Sequence, residues 1–197
     1  MKFWLPATVA TMVLMGCANK ATLVPQVQQG VDGKGAKTVT VAPESSLCSR
    51  PQCPTFAAAW SSAKEGQAVL TIGLPHQTAE VTGAEFRFGS SEVVRVTSRS
   101  QVAPLRRADA GNIPATAFDV PLRTIERMAY ASNTWVRVFT TAGSFDETIY
   151  SGAERSRAYE AMNYFLSSVQ AVSGKAPVDG GPKGGLLDRL GGGSESK

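Results

Sequence analysis

The feature that most narrows what this chain can fold into is a change of hydrophobic period along its middle. In QAVLTIGLP (67–75), Val69, Thr71 and Gly73 alternate with Leu70, Ile72 and Leu74, which predicts a strand with one buried face. AEVTGAEFRFG (79–89) sets Phe86 and Phe88 against Glu85 and Arg87, and SEVVRVTSRS (91–100) sets Val94 and Val96 against Arg95, Thr97 and Arg99. Three consecutive strands with short connections predict a meander. A polar loop containing Pro104, Gly111 and Pro114 follows, and ATAFDVPL (115–122) returns to strand. From Pro121 the period lengthens, with Leu122, Ile125, Met128 and Ala129 at helical spacing. A proline suits the first helical turn, where its missing N–H would have no partner. NTWVRVFTT (133–141) and SFDETIY (144–150), separated by Ala142 and Gly143, predict a hairpin. Ala158, Met162, Phe165, Leu166, Val169 and Val172 then make one apolar helical stripe. Ser151 and Glu154 match a capping box at its start, and Gly174 stands where that helix would stop.

This order predicts an α+β fold: an antiparallel sheet, meander plus hairpin, covered by a short helix and a long C-terminal helix. A β-sandwich with a terminal helix is the alternative. Phe56, Trp60, Phe86, Phe88, Trp135, Phe139, Phe145, Tyr159 and Phe165 are the expected core anchors, some of which could instead line a ligand cleft.

The first seventeen residues carry a different message. One cation, Lys2, precedes a mostly apolar run from Phe3 to Leu14, and Gly16 and Cys17 close it. The run is shorter than the about 20 residues a spanning helix needs and has the three-part layout of a secretory signal. Leu14-Met15-Gly16-Cys17 resembles the lipobox of bacterial lipoproteins. The resemblance implies cleavage before Cys17, diacylation of its sulfur and acylation of the new amine. The protein's membrane partner would then be reached through an N-terminal lipid anchor and not a spanning helix. Ala18 stands where, by the family's sorting rule, an aspartate would favour inner-membrane retention in Gram-negative cells. The resemblance therefore implies the periplasmic side of the outer membrane.

Domain organisation follows from composition. Residues 1–16 read as the signal, 17–47 as a flexible tether rich in Gln, Gly, Lys, Thr and Ser, 48–172 as one folded domain and 173–197 as a disordered Gly/Pro/Ser-rich tail. Within the tether, KTVTVA (37–42) could add a short strand. Removing Cys17 leaves Cys48 and Cys53, an even remainder that in an oxidising compartment reads as a disulfide closing a short loop, with free thiols as the alternative. A zinc site would need two further ligands, and the chain has a single histidine, His76. No metal or cofactor is expected.

Charge narrows the function classes. The chain carries a formal +4, but residues 48–172 hold 12 Lys and Arg against 11 Asp and Glu, so no concentrated basic face for nucleic acid is expected. Arg95, Arg99, Arg106 and Arg107 form the one local basic cluster and read as a solvated edge. His76, in a turn, has no accompanying nucleophile or metal motif, and no two of Glu80, Glu85, Glu92 and Asp146 stand out as a glycosidase pair. With no catalytic residue singled out, the expectation is a non-enzymatic, lipid-anchored envelope protein contacting a protein partner or cell-wall polymer through a sheet edge or loop. A periplasmic lipoprotein holding a small apolar ligand or lipid between sheet and helix is the alternative, and an envelope hydrolase built around His76 a third reading.

Overall fold

The computed structural model describes residues 24–48, 53–75, 79–97, 105–107 and 111–174. The signal, Cys17, His76, Arg99 and the C-terminal tail lie outside the described residues. The fold is α+β and antiparallel throughout, with a short helix and a long C-terminal one. In chain order the elements are β1 (Val27–Val31), β2 (Lys37–Ser45), β3 (Thr55–Ser61), β4 (Gln67–Gly73), β5 (Val81–Phe88), β6 (Glu92–Thr97), β7 (Leu105–Arg107), β8 (Gly111–Ile113) and β9 (Ala115–Pro121). Then come α1 (Leu122–Tyr130), β10 (Thr134–Thr140), β11 (Gly143–Tyr150) and α2 (Arg157–Ser173).

The strands divide between two main sheets, ordered β1-β2-β3-β4-β9 and β11-β10-β5-β6, with β7 and β8 as a separate small hairpin. The expected meander is therefore cut after its first strand. Strand β4 pairs with β3 and β9, whereas β5 pairs with β6 and β10. Alternation dictates which face of a strand is buried but not which strand lies beside it. The division lets two apolar faces meet. Phe56 on β3 packs edge-on against Phe86 on β5, ring centroids 6.3 Å apart, and Phe86 stacks on Phe88 at 6.2 Å. The chain beyond β2 also joins the sheets directly, Leu47 N–H donating to the Thr148 carbonyl at 2.8 Å.

Two further local expectations are corrected, and one strand carries no signal of its own in the sequence. The region read as a tether contributes two strands: β2 includes the short strand anticipated at KTVTVA, the unanticipated β1 pairs with it over five residues, and Val39 and Val41 are buried in the core. Their connecting turn is closed by Asp32, whose carboxylate accepts from Lys34 N–H at 2.8 Å and Ala36 N–H at 2.9 Å. Polar composition hid β1, which is a solvated edge strand. Strand β3, TFAAAWS, lacks alternation and is rich in alanine, a helix former; its central position between β2 and β4 overrides that propensity. The capping box is displaced as well. Ser151 Oγ does accept from Glu154 N–H at 2.9 Å, but this closes a turn after β11, and the true cap of α2 is Ser156, whose Oγ accepts from Tyr159 N–H at 3.0 Å. Gly174 ends α2 in the left-handed conformation, as expected.

Helix α2 presents Ala158, Ala161, Met162, Phe165, Leu166 and Val169 to the buried side, all joining one continuous core with both sheets and α1. Asn163 Nδ2 donates to the Ala129 carbonyl at 3.0 Å and so satisfies the end of α1 from the side of α2. A bulge in β2 between Val41 and Glu44 accommodates Pro43. Arg157 then grips the buried Glu44 carboxylate through Nε and Nη2 at 2.7 and 2.9 Å, tying the start of α2 to the sheet.

Gly83 on β5 lies closely against β6. A Cβ there would stand 2.9 Å from the Val96 carbonyl oxygen of β6, a backbone atom. Gly83→Ala is expected to push β6 outward and destabilise the fold by about 1–3 kcal/mol, the range for overpacking a filled site. Urea denaturation measures the loss, and hydrogen exchange should show it concentrated in the amides shared by β5 and β6.

Candidate functional site

The outward face of the four-stranded sheet assembles side chains that alternation alone puts together. On β10, Val136 and Val138 turn inward, so Trp135, Arg137 and Phe139 turn outward. The strand register aligns these with neighbours in three rows. Thr148, Trp135, Arg87 and Val93 form the first; Asp146, Arg137, Glu85 and Arg95 the second; Ser144, Phe139, Gly83 and Thr97 the third.

The middle row is a ladder of alternating sign running across all four strands. Arg137 donates through Nε and Nη2 to both Asp146 oxygens at 2.6 and 2.8 Å. Arg95 Nε donates to Glu85 Oε2 at 2.6 Å, and Arg87 reaches Glu85 Oε1 through Nε at 3.3 Å and Nη2 at 3.2 Å. Glu85 is only 4% exposed although it lies on the outer face, because the arginines around it cover it. The Arg95 hydrogen bond holds its carboxyl below the ordinary carboxylate range, against the opposing effect of burial and with help from Arg87. Asp146 is lowered in the same sense by Arg137, whose own guanidinium is raised in return.

These directions bear on chemistry. A glycosidic general acid needs its carboxyl raised, and both Glu85 and Asp146 are shifted the other way. Glu92 pairs with Arg127 at 3.2 Å. The face is suited to binding. Trp135 is 48% exposed, and next to it a shallow cleft of 280 Å³ is lined by Arg87, Gly89, Ser90, Trp135, Arg137 and Asp146 among others. Trp and Arg are among the residue types enriched at binding hot spots.

Folded-state carboxyls lowered below their unfolded values stabilise the fold at pH values above about 4, the ordinary carboxylate range. That contribution is lost as pH falls through the lowered values. The melting temperature is therefore expected to drop steeply on acidification below about pH 4. A Glu85→Gln/Asp146→Asn chain, less stable near neutrality, should show a flatter acid limb in thermal melts recorded across that range.

The remaining sequence candidates fall elsewhere. Cys48 and Cys53 form a disulfide-compatible pair, Cα atoms 5.8 Å apart, in the segment linking β2 to β3. Of the basic cluster, Arg95 belongs to the ladder and Arg106 and Arg107 lie on β7, whose side chains are not described. Among the described residues, no group of three His, Cys, Asp or Glu side chains could hold a metal, and no helix is long and apolar enough to cross a membrane.

Three aromatics differ from the sequence reading. Trp135 and Phe139, expected as core anchors, lie on the outward face, Trp135 half exposed, while Phe118 on β9, not among the expected anchors, is buried. The signal for Trp135 was present in NTWVRVFTT, where Trp135 shares parity with Arg137 and opposes Val136 and Val138. Comparison with known proteins adds no assignment: the chain matches no family model, no curated protein and no solved structure.

Proposed function

We propose that this is a lipid-anchored protein of the bacterial cell envelope that acts by binding and not by catalysis, using the outward face of its four-stranded sheet. The single observation that carries the binding role is the half-exposed Trp135, set beside Arg87 and the ladder of ionised side chains. Burying such an indole against a partner removes a large apolar area from water, and the surrounding charges supply orientation and selectivity. The anchor rests on the lipobox-like Leu14–Cys17 segment. Together they suit an outer-membrane protein on the periplasmic side that contacts another envelope protein or the cell-wall polymer.

Two measurements test the two halves. Palmitate labelling of cells expressing the chain should mark the wild type and be abolished by Cys17→Ser; label that persists in the variant refutes the anchor. For the face, Trp135→Ala should leave the melting temperature nearly unchanged, since surface changes of this kind usually fall within about 0.5 kcal/mol. The same change should erase the species captured by formaldehyde in intact cells. Capture that is indifferent to Trp135 removes the binding face.

A further inference from the structure

We infer that the occupant of this face is a second copy of the same chain, docked sheet to sheet about a two-fold axis that runs parallel to the strands, between β5 and β10. The inference rests on the reading that this face is the binding surface, and it names the partner.

The face is complementary to itself. In an isologous contact a surface must match itself. Read from β11 to β6, the middle row is Asp146, Arg137, Glu85, Arg95: negative, positive, negative, positive. A two-fold axis along the strands reverses that order in the opposing copy. Asp146 then faces Arg95 of the second copy, a pairing that symmetry repeats, while Arg137 comes over the position of its Glu85, whose carboxylate is covered by its own Arg87 and Arg95. A two-fold axis along the row would instead set Asp146 against Asp146 and Arg137 against Arg137. Like charges brought face to face disfavour that arrangement, so the pattern selects one axis.

The other rows agree with the selected axis. In the first, Trp135 comes opposite Arg87 of the second copy, an indole face meeting a guanidinium. The third, Ser144, Phe139, Gly83 and Thr97, carries no charge and opposes nothing repulsive. The outermost partners have capacity to spare. Arg95 reaches Glu85 through Nε while its side chain stays 73% exposed, and the Asp146 side chain is 54% exposed. Sheets packed this way keep their strands roughly aligned, which an axis along the strands allows.

Size sets the strength. Twelve positions on four strands cover about 14 Å by 13 Å between Cα atoms, or about 400 Å² per copy with side-chain margins. The pair then buries about 800 Å², under the about 1,200 Å² of a stable complex. The dimer is accordingly weak in dilute solution and populated when both copies share one membrane, where tethering raises their effective concentration.

The test uses the full chain in its native membrane. A photo-crosslinking benzophenone side chain in place of exposed Val93, which the axis sets opposite Thr148 of the second copy and which leaves Trp135 intact, should give an adduct of twice the chain mass. Copies bearing Thr97→Cys and differently tagged copies bearing Ser144→Cys, treated with a short bis-maleimide, should join to each other at least ten-fold more than either joins to itself. The axis places Ser144 opposite Thr97 but keeps each residue far from its own counterpart. Thr97→Cys or Ser144→Cys copies that link equally well to themselves overturn the dimer. An adduct with a different protein or with glycan also overturns it, while leaving the binding face standing. No adduct at all removes both.

Discussion

Truncating Phe86 to Ala should cost about 3–5 kcal/mol, the range for deleting a buried aromatic ring. A domain with a total stability of about 5–15 kcal/mol would survive this only marginally. Phe86 has no solvent exposure and sits where the two sheets touch, edge-on to Phe56 from one and stacked on Phe88 within the other. Its neighbours belong to strands fixed by their own ladders, so the void cannot close by simple collapse. Urea denaturation followed by tryptophan fluorescence measures the effect, with the slope expected to remain that of the wild type. A loss under about 1 kcal/mol, far below the cost of a cavity in a shared core, would mean that the sheets do not share one.

Arg157→Met is the second large effect, and its origin is electrostatic. Glu44 is 6% exposed and would lose two charge-assisted hydrogen bonds while remaining in place. Breaking a fully buried pair costs about 3–5 kcal/mol; with the Arg157 side chain 39% exposed, about 2–3 kcal/mol is the expected loss. The double variant Glu44→Gln/Arg157→Met should recover part of it, because no charge is then stranded. A double-mutant cycle reads the coupling directly. Strictly additive losses would show that the ion pair does not hold α2 to β2.

Much of this architecture was legible in the chain because it depends on local period. The hairpin β10–β11, helix α1 and the apolar stripe of α2 all announce themselves through spacing of 2 or 3.6 residues. What depended on partners was not legible. Strand β1 has almost no buried side chains, and its place is set by five residues of pairing with β2. The split between the sheets rests on Phe56 meeting Phe86 across 30 residues of chain, a contact no window of sequence contains. The outward face of the four-stranded sheet lies between these cases. Its residue types were visible on each strand, but the ladder from Asp146 to Arg95 exists only through three registers that bring together residues 85, 95, 137 and 146.

The early start of the fold shortens the leash. Measured to Cys48, the edge of the expected domain, an acylated Cys17 would leave about 100 Å of extended chain, at about 3.5 Å per residue. Measured to Val27, where β1 begins, the reach is about 35 Å. Under the proposed anchor, a body held that closely would ride just above its own bilayer, and the objects within its reach would be those that come to the membrane surface or travel in it.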